Sequence, residues 1–241
     1  MKKRRLETVT LLGVDCVDID RLILAADICQ KDFDFAEVKL LTSLPSSDPR
    51  IVPIEPLASV GAYSRFMIAD LDSYVATPHV LIIQYDGFIL NPSAWDNDFL
   101  KYDYIGAPWL VRDWSVRDYG FPKELLGTLA VGNGGFSLRS KKFVSTSAQL
   151  ARNGAFKEYD PEDVVLCIHN RALLESNGIT FAPAIIAKRF SFENEDDEKK
   201  AWDGQFGFHG LSWTDISKWL DANPQYRDLI VNDTTIHGKW D

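Results

Sequence analysis

Short unbroken apolar runs alternate with segments whose apolar residues recur every three to four positions, and this predicts strands and helices in turn over the first third of the chain. Thr8–Val14 reads as a first strand, Asp20–Lys31 as a helix with Leu22, Ile23, Ala26 and Cys29 on one face, and Glu37–Thr42 as a second strand. A βαβ opening predicts a parallel, doubly wound sheet. Pro45–Pro56, rich in Pro and Ser, reads as a loop. Tyr63–Tyr74 has a helical pattern, with Phe66, Met67, Ile68, Ala69 and Leu71 available for packing. Val80–Ile83 is an apolar run of the kind covered on both faces, and the segment ends at Asp86 followed by Gly87. The element order places that acid inside a sheet, at the carboxyl edge where open α/β sheets bind ligands. Turn chemistry accounts for an Asp-Gly pair equally well.

Asn91–Gly120 lacks a period and is dense in aromatics, including Trp95, Tyr102, Tyr104, Trp109 and Trp114; such rings are core more often than ligand platforms. Val131–Arg139 reads as a glycine-rich turn entering a strand, and Ser140–Asn153 as a helix. Pro161-Glu162-Asp163 opens another helix that runs to an Asn177-Gly178 stop, with Pro in the first turn and acids at the positive end. Ile179–Phe190 reads as a late strand. Glu193–Lys200 is a charged stretch, a lid candidate beside the plainer reading as a solvated loop. The whole predicts one α/β, Rossmann-like domain over residues 1–241, with a mostly parallel central sheet flanked by helices.

Composition narrows the function classes. A 46% hydrophobic content suffices for a core in 241 residues. Lys and Arg number 26 against 35 Asp and Glu, a net charge of −9, and outside Lys2–Arg5 there is no basic stripe, which argues against a nucleic-acid partner. No long apolar h-region follows Lys2–Arg5, because Glu7, Asp15, Asp18 and Asp20 interrupt it, and no window reaches the roughly 18 apolar residues of a membrane span. Those basic residues are at most a tether for peripheral contact with an anionic membrane surface. Cys16, Cys29 and Cys167 are too far apart in sequence for a disulfide framework or a zinc spacing, which fits a reducing, cytoplasmic setting.

Four places combine reactive side chains with turn residues. Gln84-Tyr85-Asp86 closes the apolar strand. Gly132-Asn133-Gly134-Gly135 lets backbone approach a ligand, although a lone glycine cluster is more often a tight turn, and it is neither a P-loop nor a dinucleotide fingerprint. Glu162-Asp163 pairs acids at a helix start, where acids also complement the helix dipole. His209 lies within Phe206–Gly210, between glycines and aromatics, in a segment without period.

In this order the four resemble the GT-A glycosyltransferases, which use nucleotide sugars. The strand-end motif of that family is DxD, and VLIIQYD sets Gln84 at its first acid and Asp86 at its last. GGFSLRS, then PEDVVLC and LLESNGI, is similar to the fringe-like and related inverting galactosyltransferases. The likeness spans roughly residues 8–210; each motif is short, so their order carries it. It implies a GT-A-like fold with a donor-binding half at about 8–90, an acceptor and catalytic half at about 91–210, and a C-terminal extension at 211–241. It implies transfer of a hexosyl unit, with inversion, from a nucleotide-diphosphate donor, a UDP-sugar first, to a saccharide or glycoconjugate acceptor, as in polysaccharide biosynthesis.

The same resemblance assigns roles. Asp86 and His209 would hold Mn²⁺ or Mg²⁺, with the amide of Gln84 removing one charge from the usual site. Asp163 would be the base that takes the proton of the acceptor hydroxyl. Glu162 is its rival, since neighbouring helix residues point about 100° apart. Asp15, Arg65, Gln84 and Asp86 would contact the donor, with Tyr63 near its diphosphate, although Asp15 is as readily a helix-capping acid. Trp109, Gly134 and Gly135 would contact the acceptor, with Trp114 as a stacking ring. A rival of another class is a non-catalytic nucleotide- or carbohydrate-binding module on the same fold, for which Gln84 is the argument. A nucleotidyltransferase would need a glycine- and basic-rich loop after the first strand, and Gly13–Cys16 does not supply one.

Overall fold

The expected βαβ opening forms: β1 (Arg4–Val14), α1 (Ile19–Gln30) and β2 (Phe33–Thr42), with the two strands parallel. The computed structural model describes residues 3–193, 200–227 and 230. Asp18 caps α1 by accepting from the Asp20 backbone N–H, and Leu22, Ala26 and Cys29 are buried, as their helical spacing requires. Within the expected Pro45–Pro56 loop, Ile51–Pro53 pairs parallel to β2 as a short strand, β3. Its proline is tolerated because β3 lies at the edge of the sheet. α2 (Val60–Ala69) begins at Ser59, whose hydroxyl accepts from Ala62 N–H, and a 3₁₀ turn at Leu71–Tyr74 follows.

β4 (His79–Ile83) pairs parallel with β1. Then come β5 (Tyr104–Ile105), β6 (Pro108–Leu110), α3 (Asp113–Tyr119), β7 (Leu129–Val131), β8 (Ser137–Ser140) and α4 (Lys141–Arg152). The central sheet has the order β3-β2-β1-β4-β8-β5; β8 runs antiparallel to both β4 and β5. This is the mostly parallel, helix-flanked α/β sheet that the sequence predicts. β4 is interior, with Val80 to Ile83 all buried, so the chain leaving it emerges at the carboxyl edge. The aromatic stretch divides: Trp95 and Tyr104 are core, whereas the β6–β7 hairpin packs a small second cluster around Val111, Phe121, Val164 and Ile168.

Two expectations are corrected. The helix opening at Glu162 is interrupted: α5 (Glu162–Val164) widens into a π-turn at Val165–His169 before α6 (Arg171–Ser176). Ile179–Phe190 is not a strand, because α7 (Ala184–Phe190) occupies its second half behind Pro183. Ala187 and Phe190 are buried and Ile185 is 71% exposed, a three-residue repeat of helical type; so short an apolar run does not separate strand from helix by period.

Lys2 lies outside the described residues. Arg4 and Arg5 belong to β1, where Arg4 donates to the Trp95 carbonyl and Arg5 pairs with Glu7 at 3.1 Å. Of the lid candidate, residues 194–199 lie outside the described residues, as do 228–229 and 231–241 of the C-terminal extension. Among the described residues no helix is long and apolar enough to cross a membrane.

Candidate active site

Beyond β4 the chain makes a tight turn, with Gln84 and Gly87 exchanging backbone hydrogen bonds of 3.1 Å. The following residues run beside Phe206–Gly210. Gly210 N–H donates to the Asp86 carbonyl at 2.8 Å, Leu90 N–H to the Phe206 carbonyl at 3.0 Å, and the rings of Phe88 and Phe208 meet edge-on at 4.9 Å. Gly207–Phe208 also pairs parallel with Ser191–Phe192. Three segments distant in sequence therefore deliver Asp86, His209 and Glu193 to one place.

His209 is the centre of this group. Its Nε2 lies 3.1 Å from Gln84 Oε1 and 3.6 Å from Asp86 Oδ1, and its Nδ1 lies 2.8 Å from Glu193 Oε1. Gln84 Nε2 donates to the Tyr63 hydroxyl at 2.8 Å, which turns the amide oxygen toward the imidazole. Burial alone would lower the pKa of His209, but the Asp86 and Glu193 carboxylates outweigh it and hold it up at about 9. Asp86 is 5% exposed, and its Oδ1 has no hydrogen-bond partner. Once a cation displaces the Nε2 proton, a buried carboxylate oxygen without a donor, an amide oxygen and an imidazole nitrogen backed by a carboxylate would form a donor set that fits a hard divalent cation, with the nitrogen favouring Mn²⁺. No group of three His, Cys, Asp or Glu side chains around a metal position occurs among the described residues, and here an amide stands where the third such ligand would be.

The two acids of α5 separate into different roles. Glu162 Oε1 is 2.9 Å from Arg139 Nη2, and both side chains are buried. Arg139 also donates from Nε to Ser137 Oγ and from Nη2 to the Gly134 carbonyl. Asp163 has no such counter-ion; its oxygens accept from the backbone N–H groups of Gly134 at 2.9 Å and Val164 at 2.8 Å. Burial, and next the neighbouring Glu162, push its pKa up to about 7 against the pull of the Gly134 N–H.

Two cavities meet at Pro161 and Asp163. One, of about 270 Å³, is lined by Asp15, Tyr63, Gln84, Tyr85 and His209 among others. The second, of about 450 Å³, is walled by Trp109, Trp114, Tyr119 and Trp213, with Glu193. Trp109 donates its indole N–H to Glu193 Oε2 at 2.6 Å.

Of the predicted site residues, Gln84, Asp86, Glu162, Asp163, His209 and Trp109 are brought together. Gly134 and Gly135, expected against the acceptor, lie against Glu162 and His209. A Cβ on Gly134 would stand 2.1 Å from Glu162 Oε1, and one on Gly135 2.1 Å from His209 Nε2, so these positions are bare to make room for the reactive side chains. Asp15 lines the smaller cavity, but its carboxylate already holds the Val17 and Asp18 N–H groups and Arg21 Nε at 2.7 Å. Arg65 is set apart: α2 turns Tyr63 and Ser64 to the cavity, and Arg65 lies over the Tyr159 ring at 4.7 Å on an exposed face. Sequence reasoning gave no site role to Arg139 or Trp213, named Glu193 only as the start of the lid candidate, and named Tyr85 only within the strand-end motif; Arg21 stacks over the Tyr85 ring at 3.7 Å. Arg139 carried a signal as well, as the one charged side chain of the FSLRS strand.

The fold, a mostly parallel six-stranded sheet flanked by helices, matches the GT-A fold. The galactosyltransferase LgtC, solved with donor and acceptor sugar analogues, matches at a TM-score of 0.50 and 15% identity over 96% of this chain and 98% of that one, and an active-site mutant of LgtC matches equally. The apo-form glycosyltransferase GlyE of Streptococcus pneumoniae TIGR4 aligns with 96% of this chain and 63% of its own at 15% identity and a TM-score of 0.47. No functionally curated protein matches. Residues 48–209 match the family described as protein of unknown function DUF5672, and the chain belongs to that family. The finer likeness to fringe-like enzymes is carried by the sequence motifs alone.

Proposed function

We propose that this chain is a hexosyltransferase that moves a sugar from a nucleotide-diphosphate donor, a UDP-sugar first, to an acceptor hydroxyl with inversion at the anomeric carbon. The observation that carries this reading is Asp163: the one unpaired carboxylate of α5 forms the wall shared by two cavities, so a base there reaches an acceptor in one and a donor in the other. The smaller cavity takes the donor, with Tyr85 and the Arg21 guanidinium stacked on its ring in the lining. The aromatic cavity takes the acceptor.

As the acceptor oxygen attacks the anomeric carbon, its proton passes to Asp163. The bond from that carbon to the diphosphate oxygen breaks, and its electron pair leaves with the nucleoside diphosphate. A base with a pKa near 7 suits this work at neutral pH. Asp86, Gln84 and His209 would hold the Mn²⁺ or Mg²⁺, which when bound neutralises charge on the departing diphosphate.

The test is a panel of UDP- and GDP-sugars scored for release of free nucleoside diphosphate, with and without Mn²⁺. One donor is expected to be cleaved in preference to the others. Asp163→Asn is expected to lower turnover about 10²- to 10⁴-fold while UDP with Mn²⁺ still raises its melting temperature. Wild-type turnover in that variant removes Asp163 from the role. Nucleotide binding with no donor cleaved would favour instead a binding module, a reading that the neutral Gln84 supports.

A further inference from the structure

We infer that the larger cavity receives the end of a saccharide that carries no acidic group. This names the acceptor class for the transfer proposed above and rests on that reading. Trp114, Tyr119 and Trp213 are 37%, 43% and 39% exposed on the walls of the 450 Å³ cavity, whereas Trp95 is buried in the core at 4%. Large rings left wet around one concave surface give up hydrophobic stabilisation and mark a binding surface. The volume lies in the range of small-molecule sites. Trp109 is pinned within the same cavity by its hydrogen bond to Glu193, so its ring is pre-set before any ligand arrives.

The polar groups on that surface choose between ligand chemistries. Asp163 accepts hydrogen bonds, and a hydroxyl-rich ligand supplies donors to it while its C–H faces lie on the indoles. A purely hydrocarbon ligand would strip water from the carboxylates and return nothing. A uronate or phosphate would set its negative charge beside the Asp163 and Glu193 carboxylates. Among the described residues no Lys or Arg lines the cavity to balance it, and the chain as a whole carries −9. Aromatic faces, a hydrogen-bond-accepting base and no cation among the described lining residues together select an uncharged sugar.

Binding is measured on the full chain with UDP and Mn²⁺ present, by calorimetry and tryptophan fluorescence, using cellotriose, mannotriose and chitotriose against trigalacturonic acid and glucose 6-phosphate. At least one neutral trisaccharide is expected to bind tenfold or more tightly than either anionic probe. Trp114→Ala is expected to lose tenfold of that affinity and Trp114→Phe to restore most of it, with the UDP-induced rise in melting temperature confirming that each variant is folded. Equal or tighter binding of the anionic probes overturns the inference, and so does binding of no saccharide by a chain that UDP stabilises. Failure of UDP with Mn²⁺ to stabilise the wild-type chain is a different result, since it removes the transferase reading itself.

Discussion

Asp163 and Glu162 are the same kind of side chain one position apart, and their surroundings make them different acids. Arg139 neutralises Glu162, whereas burial and the adjacent Glu162 raise the Asp163 pKa to about 7. Its base form therefore dominates only above neutrality, so kcat/KM should climb as pH rises through about 7 and level off above it; a pH-rate profile checks the sign and the midpoint. The same shift acts on stability. Between its unfolded value of 3.8 and its native value near 7, Asp163 binds a proton more tightly when folded, so its contribution is present in acid and is lost as pH rises across that window. Arg139 gives a second residue-level prediction. Arg139→Met leaves Glu162 buried without a counter-ion and should cost about 3–5 kcal/mol by urea denaturation, most of it recovered when Glu162→Gln is added, because an unpaired buried charge is the source of the loss. None of this was legible in the PEDV motif, since adjacent helix positions look alike until a partner from another strand claims one of them.

At the scale of elements, what the sequence shows well are segments long or apolar enough to display their own pattern. β1, α1, β2 and β4 have apolar patterns that state their own burial, and the strand-end acid lands at the sheet edge as expected. Where a segment is too short to display a period the pattern is silent or misleading. α7 looks like a strand because seven residues are too few to display a helical repeat, and β3 is hidden in a Pro- and Ser-rich loop because β2 alone recruits it. The turn between β7 and β8 has glycines that read as ligand contacts, and their bareness accommodates Glu162 and His209. That packing role is testable: in Gly135→Ala the added methyl occupies the place of His209 Nε2. The variant should therefore keep its far-ultraviolet circular dichroism while losing the extra melting-temperature rise that Mn²⁺ adds to UDP.

Across the whole molecule, the candidate donor and acceptor cavities are joined by more than a shared wall. Glu193 accepts from the Trp109 indole and the Asn133 amide at Oε2, and His209 Nδ1 meets its Oε1, so one carboxylate orients a ring of the candidate acceptor cavity and the imidazole of the candidate cation group together. Its sequence setting conceals this, because it opens a run of charges that reads as solvent-facing loop, and only the parallel pairing of Ser191–Phe192 with Gly207–Phe208 carries it inward. A residue that holds both sites should couple them, and coupling between two ligands is reciprocal. Glu193→Ala is therefore expected to weaken Mn²⁺-dependent UDP stabilisation by about 10- to 100-fold in apparent Mn²⁺ affinity, as loss of a carboxylate behind a liganding histidine does elsewhere. It should weaken oligosaccharide binding in the same variant, and the enhancement that either ligand gives the other should disappear. Trp114→Ala, which touches the aromatic wall alone, should depress saccharide binding and leave Mn²⁺ affinity where it was. If Glu193→Ala affected one ligand and spared the other, the carboxylate would be a support for one cavity and the two sites would act independently.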